Sequence, residues 1–118
     1  MITVSNVSKM FGSVKALDDL SLHVKTGSIY GMVGTNGAGK TTIIKHIMGI
    51  LRQDSGEITV GGEPVFENAD IKAKIGYVSD DLYFFPMYTM ADMAKYEAGI
   101  YPDWDEKRFE EMTAHFKL

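Results

Sequence analysis

The sequence has no cysteine, which excludes a disulfide scaffold, a thiolate metal site and a cysteine nucleophile. Only two of its twelve basic residues, Arg52 and Arg108, are arginine, and sixteen acidic residues bring the net charge to −4. A nucleic-acid footprint needs a concentrated basic face, so no nucleic acid is expected as a partner. No apolar run approaches the roughly 20 residues that cross a bilayer. The opening Met-Ile-Thr-Val-Ser-Asn-Val lacks the basic segment and apolar stretch of a secretory signal, which reads as a soluble cytoplasmic protein. What is present is ordinary for a globular chain: 45% hydrophobic and 24% charged residues, values that exclude disorder. At 118 residues the chain is one domain or a piece of one.

Along the chain, Ile2 to Val7 is β-branched and partly alternating, the pattern of a strand. A Phe11-Gly12-Ser13 turn follows, then apolar positions spaced by two that place a second strand near Leu20 to Val24. Ser28 to Val33 is short, apolar and bounded by glycines, as a buried strand would be. From Lys40 to Leu51 the apolar positions fit a helix buried on most sides. Glu57 to Val60 reads as a strand running into the Gly61-Gly62 turn, and Ile75 to Ser79 as another short strand. Thr89 and Asp92 resemble a capping box that opens a helix to about Tyr101. After the Pro102-Asp103 break, Asp105 to Lys117 carries Phe109, Met112 and Phe116 at helical spacing, and the chain stops without a closing Gly, Asn or Pro, as at a cut. The eight methionines read mainly as core filler, and His23, His46 and His115 as structural.

The strongest signal is Gly34-Thr35-Asn36-Gly37-Ala38-Gly39-Lys40-Thr41, which fits G-x-x-x-x-G-K-[ST] at every fixed position. An apolar segment precedes it and a helix begins at its lysine. A loop that wraps a polyphosphate must aim successive backbone N–H groups inward, which demands angles and close approach that side chains obstruct. Gly34, Gly37 and Gly39 permit this. The following helix offers its unpaired N–H groups and positive dipole end to the anion. Lys40 adds a point charge, the Thr41 hydroxyl is a hard ligand for Mg²⁺, and Thr42 offers a further hydroxyl and N–H.

With Asp54-Ser55-Gly56-Glu57-Ile58, Gly61 and Ile75-Gly76-Tyr77-Val78 following in this order, the sequence resembles the first half of an ABC-transporter ATPase over nearly its whole length. That implies an α/β fold: a truncated P-loop NTPase, an ABC-type nucleotide-binding domain with an antiparallel β part, an incomplete P-loop core with a mixed sheet, and the start of the helical subdomain. The division expected is 1–80, β-rich with the phosphate loop, and 81–118, helical. The resemblance implies ATP and Mg²⁺ as cofactors, with Phe11, Gly34, Asn36, Gly37, Ala38, Gly39, Lys40, Thr41 and Thr42 around the nucleotide. Phe11 matches the family's adenine-stacking aromatic; the competing reading is a core residue of the first hairpin. Where the family has a Gln that reaches the metal, this chain has Asp80, beside Asp81, as a subset of bacterial exporter-type ABC ATPases do. Asp80 is thus either a metal-side or coupling residue, with Thr41 as the other metal ligand, or part of a solvated loop. The apolar run Leu82 to Tyr88 is either where a membrane permease subunit docks, around residues 80–90, or packing within the helical subdomain with Met90 and Met93.

The resemblance also shows what is missing. The family's apolar strand ending in Asp-Glu, its Ser-Gly-Gly signature loop and its switch histidine have no counterpart, and Asp105-Glu106 reads as a helix start. No catalytic set is complete, so the fragment is expected to bind MgATP and turn it over negligibly, while the parent protein is an ATPase that powers transport. Two such subunits, identical or not, would sandwich ATP at the cytoplasmic face of the membrane. The family's later strands lie between Ser28–Val33 and Ile75–Ser79, so open sheet edges are expected here. Two alternatives are a soluble ABC-type ATPase of translation or repair, and a non-catalytic nucleotide-binding interaction module.

Overall fold

Asn6 and Asp19 both take left-handed backbone angles, φ 49° each, and meet across the first two strands, where the Asn6 amide donates to the Asp19 carboxylate at 2.9 Å. They sit within an antiparallel pair, β1 (Ile2–Phe11) and β2 (Val14–Val24), whose register slips between Val4 and Val7, between Val7 and Lys9, and between Lys9 and Met10. Each slip is a bulge, which interrupts the in–out alternation and adds local twist. That is why both strands are longer than their hydrophobic pattern indicates. The structure, a computed structural model, describes residues 1–81 and 84–118.

On its other side β1 pairs with β3 (Ser55–Val60), and β3 turns through Gly61-Gly62 into the two-residue β4 (Glu63–Pro64). The order is β2-β1-β3-β4, antiparallel throughout. Gly56, at φ 83°, lies so close to the Ser5 and Asn6 carbonyl oxygens that a Cβ would collide with both.

Between β2 and β3 runs α1 (Lys40–Ile47), which buries Ile43 and His46. Val4, Val7, Leu17, Ile43, Ile58, Val65 and Ile71 form the core, with Leu20, Leu22, Met32 and Ile75 packed against it. Each such side chain removed from water contributes roughly 1.5–3 kcal/mol. The one-turn helix α2 (Ala69–Lys72) is capped by the Asn68 side chain, which accepts the Ile71 N–H at 3.2 Å, and tucks Ile71 into the core.

Four expectations are corrected. Ser28–Val33 is not a strand: none of the four strands pairs with it, and a strand exists only with a hydrogen-bonded neighbour. Ser28 instead returns its N–H and hydroxyl to the Lys25 carbonyl at 3.2 and 2.7 Å, and Ile29 and Val33 stand fully in solvent at 102% and 98%. Ile75–Ser79 is likewise outside any ladder, with Tyr77 and Val78 exposed; the sheet among the described residues is therefore antiparallel, not mixed. Helix α1 stops at Ile47, with Gly49 at φ 65° and the Ile50 N–H folded back on the Lys45 carbonyl. It is buried on one face only, since Ile44 is exposed. Five of the eight methionines are not core filler either: Met1, Met10, Met87, Met90 and Met112 are exposed, whereas Met32 packs against the core.

The chain divides into two compact units, Met1–Tyr77 and Val78–Leu118. The second contains α3 (Met90–Ile100) and α4 (Glu106–Phe116). Helix α3 opens on the expected box. The Thr89 hydroxyl oxygen accepts the Asp92 N–H at 3.2 Å, and the Asp92 carboxylate accepts the Thr89 N–H at 3.0 Å and the Thr89 hydroxyl at 2.7 Å. Helix α4 starts at Asp105, whose carboxylate accepts the Arg108 N–H at 2.9 Å. Phe85 meets the tilted Tyr88 ring and the edge-on Tyr96 ring at centroid distances of 5.1 and 5.2 Å. Leu82 and Tyr83, part of the apolar run singled out from the sequence, lie outside the described residues.

Candidate phosphate-binding site

Helix α1 begins at Gly39, which occupies its N-cap position at φ 88° and ψ 3°. A glycine cap brings no side chain to the first turn, and that turn holds no acidic residue. The N–H groups that every helix leaves unpaired at its start, with the positive end of its dipole, are left without a protein acceptor from the cap side chain. Gly39 is also the only residue type that fits: a Cβ there would meet the Ala16 carbonyl oxygen at 2.8 Å and Leu17 Cδ2 at 3.2 Å. Gly37 is left-handed as well, at φ 84°. Gly34 has no positive φ; its part is proximity, since a Cβ would lie 3.3 Å from the Ala38 Cβ and 3.7 Å from Lys40 Nζ.

Within the loop the Ala38 N–H donates to the Thr35 carbonyl at 3.1 Å. Lys40 curls back over its own loop, its ammonium donating to the carbonyls of Gly34 and, at 2.6 Å, of Thr35. Asn36 and Gly37 form the tip, Thr41 is exposed and Thr42 is half-buried. The Thr42 carbonyl accepts a bond from His46 Nδ1 at 2.7 Å, while His46 Nε2 is fully buried with no hydrogen-bond partner among the described residues. A cavity of about 430 Å³ opens beside the loop, walled by Ala38, Gly39 and Lys40, by Lys15 to Asp18 of β2, and by Tyr30 and Met32.

Phe11, the last residue of β1, is 45% exposed. It is not a core residue of the hairpin; its ring is a presented face, with Lys9 Nζ 5.5 Å from the centroid. The hairpin carries this face and the loop together. Lys9 pairs with Leu17 and Met10 with Lys15, so Ala16 is the extra residue of the bulge, and its carbonyl is the one that bounds Gly39. The structure thus brings Phe11 and the 34–42 segment into one unit.

Asp80 and Asp81 are exposed at a bend in the second unit, where the Asp81 N–H donates to the Ser79 hydroxyl at 3.3 Å. Among the described residues no three His, Asp or Glu cluster so as to hold a metal ion by themselves. This donor set suits Mg²⁺ less as a protein cage than as an ion shared with phosphate oxygens, which is how Mg²⁺ is commonly held.

Two residues that the sequence reading passed over shape the site, Ala16 through its bulge and Lys9 through its position at the Phe11 ring, together with Asp54, which the sequence offers only as the first residue of the Asp54–Ile58 motif. The Asp54 carboxylate accepts the Met10 N–H at 2.7 Å and pairs with Lys9 Nζ at 3.0 Å. Those contacts, the Met10 bond first and the Lys9 bond second, hold its carboxyl below the usual value of 3.8. A bulge has no simple sequence signature; the Lys9–Phe11 spacing of two, which puts both on one face of a strand, is a signal that was there to find.

Known proteins similar to this chain point to one family. The family model described as ABC transporter matches residues 17–118. Over 90 residues the chain is 40% identical to the bacitracin transport ATP-binding protein BcrA of Bacillus licheniformis, covering 75% of this chain and 29% of that protein. Over 100 residues it is 39% identical to an uncharacterized ABC transporter ATP-binding protein, YhaQ, of Bacillus subtilis, covering 85% and 33%. A solved structure of an ATP-binding subunit of an ABC transporter superposes with a TM-score of 0.77 at 24% identity, over 93% of this chain and 46% of the other, a likeness of fold. The chain therefore spans 29% and 33% of the lengths of these two relatives. The loop, the fold around it and a family match over most of the sequence lead to one assignment: the chain belongs to the ABC transporter family, as part of its P-loop ATP-binding domain.

Proposed function

We propose that the chain is the ATP-binding portion of an ABC transporter ATPase, in which Gly34 to Thr42 hold the polyphosphate of ATP and Phe11 stacks on the adenine. The observation that carries this reading is the uncapped start of α1 at Gly39 with the Lys40 ammonium beside it. Lys40 exchanges its two loop carbonyls for phosphate oxygens, a trade of neutral acceptors for charged ones that favours the anion. Thr41 supplies a hydroxyl to Mg²⁺, and Asp80 is the second candidate on the metal side; the ion would spread the negative charge of the phosphates. A flat aromatic face such as Phe11 contributes roughly 1–3 kcal/mol per stacked base in other proteins.

The parent protein hydrolyses MgATP and drives transport, paired with a second nucleotide-binding subunit, the same or different, and seated at the cytoplasmic face of the membrane against a permease subunit. Among the described residues no helix is long and apolar enough to cross a membrane. The docking face is the 80–90 region, where Phe84 and Tyr88 line an apolar groove of about 560 Å³ with Met90, Met93, Trp104 and Phe109. The present residues lack the carboxylate base, signature loop and switch histidine that the resemblance calls for, so they bind MgATP and turn it over negligibly. Titration with labelled ATP and Mg²⁺ on the unsubstituted chain and on Lys40→Ala tests the reading. A much weaker Lys40→Ala supports it, and equal affinities contradict it.

A further inference from the structure

One residue of the loop between α1 and β3 holds the three residues that precede Phe11. The Asp54 N–H donates to the Ser8 carbonyl at 3.0 Å, one carboxylate oxygen pairs with Lys9 Nζ at 3.0 Å, and the other accepts the Met10 N–H at 2.7 Å. The Lys9 ammonium so fixed lies 5.5 Å from the centre of the Phe11 ring. Its side chain is only 17% exposed against 49% for Asp54, so the cation lies sheltered between carboxylate and ring. The Lys9–Met10 step is also where β1 slips against β2. The residue squeezed out there is Ala16, whose carbonyl touches the position of Gly39. A bulge without a clamp is a place where a strand end can twist or fray. Here the clamp is a single carboxylate on the segment that leaves the phosphate-loop helix.

We propose that Asp54 is a positioning residue for base recognition: through Lys9 and Met10 it sets the pose of Phe11, and with it the span between the adenine platform and the phosphate cradle. This rests on the nucleotide reading above and adds to it a residue that touches neither phosphate nor base. The chemistry requires both oxygens. One holds the backbone at the bulge, and the other holds a cation that attracts the π-face of the ring. A neutral amide at position 54 keeps an acceptor for Met10 but loses the ionic partner of Lys9.

The test is a comparison of two ligands, ATP and inorganic tripolyphosphate, both with Mg²⁺, on the full chain. Asp54→Asn is expected to weaken ATP about fivefold while leaving tripolyphosphate within about twofold, since a partial loss of stacking is a fraction of the whole. Lys9→Met, which spares the backbone bond, is expected to behave alike. In a Phe11→Ala background, Asp54→Asn is expected to have no further effect on ATP, because residues that act through one another are not additive. Equal weakening of ATP and tripolyphosphate would mean that Asp54 merely holds the unit together and would overturn the proposal. So would an unchanged ATP affinity, or a full effect of Asp54→Asn added on top of Phe11→Ala. Failure of the unsubstituted chain to bind either ligand, or of Phe11→Ala to matter, overturns the nucleotide reading itself and this inference with it, and those controls tell the two failures apart.

Discussion

The Lys40 ammonium lies 2.6 Å from the Thr35 carbonyl oxygen, so the loop's own backbone holds the charge that the site offers to an anion. Both carbonyls it touches, Gly34 and Thr35, belong to exposed residues, and water can replace the ammonium there at little cost. Lys40→Met is accordingly expected to change unfolding free energy by less than about 1 kcal/mol. The same change removes a charge-assisted partner of phosphate, about 1.5–3 kcal/mol, so ATP affinity falls roughly 10- to 100-fold. Urea unfolding beside nucleotide titration checks both halves.

Gly39→Ala separates geometry from charge. The substitution forces a side chain into a left-handed conformation, at about 1–2 kcal/mol, and drives a Cβ to 2.8 Å from the Ala16 carbonyl. Because that neighbour is backbone, the loop or the bulge must move. The expected result is a loss of about 2–4 kcal/mol in stability together with a loss of nucleotide affinity, measured by chemical denaturation and titration on one preparation.

How much of this was legible in the sequence depends on how local each determinant is. The glycines, lysine and threonine of residues 34–41 and the Thr89–Asp92 box carry their conformations in a few adjacent residues, and the structure has both. Ser28–Val33 has the composition of a buried strand, but strand character needs a neighbouring strand, and composition does not supply one. The ends of β1 and β2 were missed for the opposite reason: bulges at Asn6 and Ala16 break the alternation that marks a strand. Helix α2 is four residues long, too short for a periodic signal. Phe11 could be read as an aromatic near a turn, whereas its exposure and its tie to Asp54 through Lys9 are contacts between residues 45 positions apart.

The Thr89–Asp92 box should respond to acid. Hydrogen bonds from the Thr89 hydroxyl first, and from its N–H second, hold the Asp92 carboxyl below the usual 3.8. A carboxyl depressed in the folded state contributes stability above its unfolded value and loses it as pH falls through the folded value. Protection of the first-turn amides of α3 against hydrogen exchange is therefore expected to be constant above about pH 5 and to drop below about pH 4. Thr89→Ala removes the cap at any pH, at a cost of about 0.5–2 kcal/mol, and should abolish that acid-dependent step.

His46 is fully buried, with Nδ1 on the Thr42 carbonyl and Nε2 without a partner among the described residues. An unmet buried acceptor is a cost that an apolar side chain of similar size avoids. His46→Leu is expected to be neutral within about 1 kcal/mol, while His46→Ala leaves a hole and costs about 2–4 kcal/mol. Thermal unfolding of the two variants side by side decides whether shape or polarity matters at this position.

The most direct test of the account follows backbone amides by nuclear magnetic resonance while MgATP is added. The account predicts saturable shifts concentrated at Gly37 to Thr42, with a second group around Phe11, and loss of both in Lys40→Met. Amides of that segment unmoved by MgATP, or moved equally in Lys40→Met, would contradict it.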